Sequence, residues 1–136
     1  MSQQPKALVL DSWAVIAYFE DEPSAQEIAN LIADAHESNA PIYMSVVNVG
    51  EVWYITAREI SEKDANTIIQ ELRNLRIQFE DANWELTQEA ARFKSQHKMS
   101  YADCYAAALA KVKNATLVTG DKEFISAENQ IKVLWV

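Results

Sequence analysis

The chain has 136 residues, with 20 acidic and 12 basic side chains, a formal net charge of −8 and a single cysteine. Its length and its 49% content of apolar residues predict one folded domain over residues 1–136 and argue against global disorder. The acidity argues against tight, nonspecific nucleic-acid binding, and the lone Cys104 excludes an intramolecular disulfide framework. Because there is no signal sequence and no apolar run of membrane length, we expect a cytoplasmic protein.

Short apolar segments alternate with amphipathic helices through the first half of the chain. Ala7–Leu10 is an apolar run that ends at Asp11 and is typical of a strand buried on both faces, although periodicity alone leaves a buried helix open. Pro23 suits the first turn of a helix, and the spacing of Ser61 and Asp64 resembles a capping box. The predicted elements are a strand over 7–10, helices over 13–19 and from 23 to about 39, a strand over 42–45, and helices over 46–60 and from 61 to about 75.

The second half of the chain continues the same alternation. Strands that alternate with helices form βαβ units, whose right-handed crossovers place helices on both faces of a parallel sheet. Ligands in such folds bind beside the carboxyl ends of the strands, so the residues that follow each strand are candidates for function. The predicted elements are a strand over 76–80, helices over 84–94 and 100–113, and strands over 115–119 and 131–135.

Two acidic residues directly follow predicted strands. Asp11 ends the first strand, and Asp121 follows the fourth in the run Leu117–Asp121. Each also has an ordinary interpretation, because Asp is a preferred N-cap residue and a Gly-Asp turn is common. Their shared position, at the carboxyl end of a parallel strand, favours a site.

Glu51 lies on an apolar face of a predicted helix. Its helical neighbours are Val47, Tyr54 and Ile55, and an ionised carboxylate among such residues costs several kcal/mol unless it is paired or coordinated. The alternative is a side chain that extends to solvent or pairs with a neighbouring arginine. A functional role is the better hypothesis.

Asp103 lies near the start of the helix that Ser100 opens. The spacing of these two residues is that of a capping box, in which the acid is favoured by the helix dipole. However, Asp103 shares its helix face with Ala106, Ala107 and Ala110, and such small residues allow the helix to pack close to a sheet. Capping and catalysis both stay open, and one residue could do both.

Taken together, the four acids are expected at or beside the ends of strands. Four carboxylates brought together repel one another and raise one another's pKa, so a cluster of this kind needs a cation. With no histidine or cysteine in the set, the ligands are all oxygen, which suits Mg²⁺ or Mn²⁺ rather than Zn²⁺. Such ions, held with open coordination positions, serve phosphoryl chemistry.

The order and surroundings of these acids resemble a PIN domain, most closely the VapC type, the toxin ribonucleases of bacterial toxin–antitoxin pairs. The resemblance spans nearly the whole chain. It implies a three-layer α/β/α fold with a central parallel sheet of about five strands, and a toxin of a type II toxin–antitoxin system. The matching segments are Val9–Ser12, Ser45–Val52, Ser100–Asp103 with its alanine-rich continuation, and Leu117–Phe124.

The resemblance also implies a site and its partners. Asp11 and Asp103 match the core metal-binding acids of the family, Glu51 and Asp121 match the other two, and Thr119 matches a hydroxyl that supports the site. The implied activity is that of an endoribonuclease dependent on Mg²⁺ or Mn²⁺, in which a metal-bound water attacks an RNA phosphodiester. A homodimer and an antitoxin whose C-terminal segment covers the acidic pocket are implied as well.

Two other functions stay open. A doubly wound phosphatase or phosphoacceptor domain would use Asp11 as a nucleophile and form an aspartyl phosphate. Trp13 counts against the phosphatase form, because a second Asp would be expected at that position. A non-catalytic module would retain the acids only to bind a basic, antitoxin-like segment.

RNA would have to approach an acidic protein, so the basic residues between the second and last motifs are of interest. These basic residues either lie beside the site and bind phosphates of the RNA, or are ordinary solvated surface charges. The four tryptophans are predicted to be mostly core, and Cys104 is predicted to be a buried apolar residue rather than a nucleophile. The basic candidates are Arg58, Lys63, Arg73, Arg76, Arg92, Lys94 and Lys98, with His97 nearby.

Overall fold

The structure, a computed structural model, describes residues 4–136. Five parallel strands form one sheet in the order β3-β2-β1-β4-β5, which confirms the predicted α/β fold. In chain order the elements are β1 (Leu8–Leu10), α1 (Ser12–Phe19), α2 (Ala25–Glu37), β2 (Ile42–Ser45), α3 (Val46–Glu59), α4 (Glu62–Asn74), β3 (Ile77–Glu80), α5 (Trp84–Gln96), α6 (Tyr101–Val112), β4 (Thr116–Thr119), a 3₁₀ helix (Lys122–Ala127) and β5 (Lys132–Trp135).

The central strand β1 is fully buried and pairs with β2 on one side and β4 on the other. Its last residue, Leu10, pairs in parallel with Val118, so the next residues along the two strands, Asp11 and Thr119, leave the sheet side by side. The register of the sheet therefore brings together two residues that are 108 positions apart in the sequence.

The sheet is covered on both faces, as predicted. Leu8 and Leu10 pack into a core with residues of α1 to α4, while Val9 packs into a second core with residues of α5, α6 and the 3₁₀ helix. This division follows from the alternation of side chains along a strand. The predicted small face of α6 is also observed: Ala106, Ala107 and Ala110 are buried, and α6 packs against β1, β2 and β4.

Several predictions of detail were wrong. The 3₁₀ helix was not predicted, because six residues without a long apolar period give no helical signal. The tryptophans are not mostly core: Trp84 is 69% exposed, and Trp13 and Trp135 are 36% exposed. Trp84 and Trp135 lie at ends of elements, at the first residue of α5 and the last of β5, where a large ring can project to solvent.

Within residues 4–136, no helix is both long and apolar enough to cross a membrane.

Candidate active site

Asp11 lies at the carboxyl end of β1 and is completely buried. It is the N-cap of α1, because its Oδ1 accepts a hydrogen bond from the backbone N–H of Ala14 at 2.8 Å. Its Oδ2 accepts a hydrogen bond from the hydroxyl of Thr119 at 2.5 Å. The capping interpretation is therefore correct, but it accounts for only one of the two carboxylate oxygens.

Thr119 connects the ends of β1 and β4. Its hydroxyl, also fully buried, donates to Asp11 and accepts from the backbone N–H of Asp121 at 3.0 Å. Asp121 in turn accepts from the backbone N–H of Glu123 at 3.0 Å through Oδ1 and so caps the 3₁₀ helix. A continuous series of hydrogen bonds thus fixes these side chains at the edge of the sheet.

Asp103, Asp121 and Glu123 form the tightest acidic group among the described residues. One carboxylate oxygen from each lies within 4.8 Å of the others. Asp103 is buried in the first turn of α6, where its backbone N–H donates to the hydroxyl of Ser100 at 3.2 Å, as the capping spacing predicted. The capping interpretation is confirmed, and the catalytic interpretation stays a prediction that the position of Asp103 in the acidic group supports.

Glu123 was missed by the sequence analysis. It lies two residues after Asp121, in the 3₁₀ helix that was not predicted, and the tight turn brings its carboxylate back toward Asp103. The spacing Asp-Lys-Glu directly after a strand was the available signal. It became informative only once the turn after β4 was known.

Glu51 accepts hydrogen bonds from Ser12 and Asn48, which connect it to chain neighbours of Asp11 and Asp103. Its Oε1 accepts from the hydroxyl of Ser12 at 2.8 Å and from Nδ2 of Asn48 at 3.1 Å. The same Nδ2 donates to the carbonyl of Ala102 at 3.1 Å, which connects α3 to the residue preceding Asp103. No lysine or arginine within residues 4–136 pairs with Glu51, so the arginine-pairing alternative is wrong.

The electrostatics of the site agree with this convergence. Burial raises the pKa of Asp11 to about 7; the hydrogen bonds from Thr119 and Ala14 oppose the rise, and the charges of Asp121 and Glu51 add to it. Burial also raises the pKa of Asp103, to about 9, with further contributions from Glu123 and Asp121. The pKa of Glu123 is lowered, first by its hydrogen bond with Asp103. Of the two carboxyl groups, therefore, Asp103 is the one that more readily keeps a proton.

The residues present fit a hard divalent cation. The charged ligands are all carboxylates, the donor type that Mg²⁺ and Mn²⁺ prefer. Asn48 is fully buried beside Glu51, and its Oδ1 has no hydrogen-bond partner within the described chain. A positive ion would favour the ionised forms of Asp11 and Asp103, whose pKa values are raised chiefly by burial and to a smaller extent by the neighbouring acids.

All five residues that the sequence singled out lie at one edge of the sheet. Asp11, Thr119 and Asp121 are joined by hydrogen bonds, Asp103 lies beside Asp121, and Glu51 lies close enough to Asp11 to raise its pKa.

Cys104 is fully buried, and burial raises the pKa of its thiol to about 11, which agrees with its expected role as an apolar residue.

Comparison with known proteins decides the family. The model of the PIN domain matches residues 8–129. The chain belongs to the PIN domain family. The resemblance found in the sequence is thereby confirmed for the PIN fold, and the acidic edge of the sheet is the edge at which this PIN domain gathers its carboxylates.

Solved structures share the PIN fold over nearly the whole chain. VapBC2 from Rickettsia felis, bound to a DNA fragment from its promoter, has a TM-score of 0.76 at 17% identity, covering 94% of this chain and 97% of that one. VapC20 from Mycobacterium tuberculosis, described as a sarcin–ricin loop cleaving toxin, has a TM-score of 0.70 at 16% identity, with 89% and 95% covered. FitAcB from Neisseria gonorrhoeae has a TM-score of 0.64 at 23% identity, with 93% and 96% covered. A comparison with curated protein sequences gave no significant match.

Proposed function

We propose that this PIN domain is a metal-dependent endoribonuclease and the toxin of a type II toxin–antitoxin pair. The observation that supports it most is the meeting of five carboxylates from four separate parts of the chain at one edge of the sheet, two of them with strongly raised pKa values. A group of this kind is costly without a function, because each buried carboxylate opposes the ionisation of its neighbours. VapC20, which shares the fold, is described as a sarcin–ricin loop cleaving toxin.

The residues that would hold Mg²⁺ or Mn²⁺ are the four predicted acids, Asp11, Glu51, Asp103 and Asp121, with Glu123 as an addition from the structure. When bound, the ion supplies an activated water and stabilises the leaving oxygen of a phosphodiester. The protein contributes the geometry: Thr119 fixes Asp11 and Asp121 relative to each other, and Asn48 and Ser12 fix Glu51.

The raised pKa of Asp103, beside Glu123 with its lowered pKa, makes the metal-free site sensitive to pH. An acid whose pKa lies above neutrality is mostly protonated at neutral pH in the absence of a cation. Entry of a cation would favour loss of this proton, so metal binding should release protons and strengthen as the pH rises.

The geometry disfavours the phosphoacceptor alternative. A nucleophilic aspartate needs a free, accessible oxygen, but Asp11 is completely buried and both of its oxygens already accept hydrogen bonds. A supporting role, in which Asp11 holds Thr119 and the first turn of α1 beside the other acids, fits these contacts better than attack on phosphorus.

The nuclease is tested with purified protein and single-stranded RNA. Cleavage is expected with Mg²⁺ or Mn²⁺ and should be abolished by EDTA and by Asp103→Asn. Asp34→Asn, which makes the same change at an exposed position of α2, is the matched control and should cleave as the wild type does. Cleavage that survives both EDTA and Asp103→Asn would rule out the mechanism.

A groove beside the site supports the antitoxin part of the proposal. Its volume is about 700 Å³, and its lining combines the apolar Trp13 and Ile16 with Glu20, Glu22 and Glu27. A cationic, amphipathic segment complements such a surface, because its apolar residues can contact Trp13 and Ile16 while its lysines or arginines pair with the glutamates. Trp13 also packs against Gly120, directly before Asp121, so the groove adjoins the acidic edge.

The antitoxin site is tested by Ile16→Asp, which places a charge among the apolar residues that line the groove. The variant is expected to lose co-purification with the antitoxin and to keep RNA cleavage.

The predicted homodimer is a separate part of the proposal. Exposed Tyr54 and Ile60 of the α3 region are candidate contacts, and sedimentation of the double variant Tyr54→Ser, Ile60→Ser should show a monomer if they form that interface.

A further inference from the structure

Three of the seven basic residues that the sequence offered as RNA contacts interact with other side chains of the protein. Arg92 pairs with Glu89. The guanidinium of Arg58 lies 5.4 Å from the ring centre of Tyr54, and that of Arg73 lies 4.5 Å from the ring centre of Phe79. These interactions reduce the value of both arginines as free phosphate contacts.

Lys94 is held in a different way. It lies in the last turn of α5, and its Nζ donates to the backbone carbonyl of Met99 at 2.6 Å. Within residues 4–136 it forms no ion pair with an acidic side chain. An ammonium has three donors, so two are left after the bond to Met99.

The Met99–Ser100 peptide places Lys94 next to the acids. The carbonyl side of this peptide accepts from Lys94, while the N–H side belongs to Ser100, whose hydroxyl caps the helix at Asp103. Asp103 in turn lies in the acidic group with Asp121 and Glu123. The ammonium therefore lies one peptide group away from the acidic edge.

We propose that Lys94 binds a phosphate of the RNA substrate and brings the strand to the acidic edge of the sheet. The inference depends on the nuclease function proposed above. A chain of net charge −8 repels RNA, so a cation fixed beside the acids has a large effect on approach. Lysine suits this role, because its ammonium is a compact charge that does not require the planar geometry of arginine.

Three variants test the proposal. Lys94→Gln removes the charge, and Lys94→Arg keeps it. Lys132→Gln is the matched control, because it changes the net charge equally at the exposed first residue of β5, which in a parallel sheet lies at the edge opposite the acids. The rate of RNA cleavage, as kcat/KM, is measured from 0.05 to 0.5 M salt, together with binding of labelled single-stranded RNA in an Asp103→Asn background and the thermal unfolding midpoint of each variant.

If Lys94 binds phosphate, Lys94→Gln should lower kcat/KM and RNA affinity about five-fold at 0.1 M salt, with a salt slope smaller by about 0.7, as expected for one lost contact to a single strand. Lys94→Arg and Lys132→Gln should behave as the wild type. Equal behaviour of Lys94→Gln and Lys132→Gln would overturn the proposal. So would a loss in Lys94→Gln with an unchanged salt slope, which would indicate that Lys94 only positions the turn. A wild-type protein that neither binds nor cleaves RNA would overturn the nuclease function and this inference together.

Discussion

Substitution of Asp11 by asparagine should stabilise the metal-free protein while it abolishes activity. Asp11 is completely buried, and its pKa is raised from 3.8 to about 7, chiefly by that burial. At 1.36 kcal/mol for each pH unit, ionised Asp11 makes the folded protein less stable by about 4 kcal/mol above pH 7. Asparagine removes this charge, and its Oδ1 can still accept from Ala14.

The pH dependence follows from the direction of this shift. An acid whose pKa is higher in the folded than in the unfolded state costs no stability when it is protonated in both, below about pH 4. The cost develops between about pH 4 and pH 7 and is complete above pH 7. The advantage of Asp11→Asn should therefore be about 4 kcal/mol at pH 8 and about 2 kcal/mol at pH 5.

The assay is thermal unfolding in EDTA, followed by circular dichroism at pH 5 and pH 8. For a chain of this length about 3 °C corresponds to 1 kcal/mol, so Asp11→Asn should unfold about 12 °C above the wild type at pH 8. Asp34→Asn, on the exposed part of α2, should unfold with the wild type at both values. If Asp11→Asn is less stable than the wild type at pH 8, or if its advantage does not change with pH, the assigned cost of the buried charge is wrong.

Three further substitutions follow from the same geometry. Thr119→Val removes a hydrogen bond to the buried carboxylate of Asp11, so it should lower the free energy of unfolding by about 1.5–3 kcal/mol and weaken Mn²⁺ binding. Thr119→Ser should retain the stability and the Mn²⁺ affinity of the wild type. Urea denaturation measures the first effect and calorimetry the second. Asn48→Ala leaves the carbonyl of Ala102 without its donor and should cost about 1–3 kcal/mol in the same denaturation experiment. Gly120→Ala places a Cβ 2.3 Å from the ring of Trp13 and should destabilise the protein. Gly50→Ala, which has open space at an exposed site in α3, should stabilise the protein by about 0.5–1 kcal/mol. A Gly120→Ala variant as stable as Gly50→Ala would contradict the close approach of Trp13 to Gly120.

The order of strands and helices could be predicted from the sequence because each element has its own local pattern. The run Ala7–Leu10 has only apolar residues and is fully or nearly fully buried, as a central parallel strand requires. The placement of Asp11 and Asp121 at one edge also followed, because parallel strands end at the same edge, whereas Thr119 was singled out only through the family resemblance. The four acids could be placed at that edge because each of them either follows a predicted strand or lies on a helix expected to pack beside the ends of the strands.

What could not be predicted depends on contacts between distant parts of the chain. The bond from Asn48 to Ala102 joins residues 54 positions apart, and neither has a local signal for it. Glu123 lies in a short 3₁₀ turn, whose formation depends on the cap from Asp121 rather than on apolar periodicity. The exposure of Trp84 was mispredicted because burial was assigned by residue type, while its place at the first residue of α5 decides it.

The presence of a hard divalent cation among the acids is tested most directly by anomalous diffraction from a crystal soaked in Mn²⁺. We expect an anomalous peak within coordination distance of Asp103 and Asp121, with Asp11, Glu51 and Glu123 arranged around it. If, at saturating Mn²⁺, no peak lies among these carboxylates, or the ion binds at another surface, the metal-dependent nuclease is contradicted.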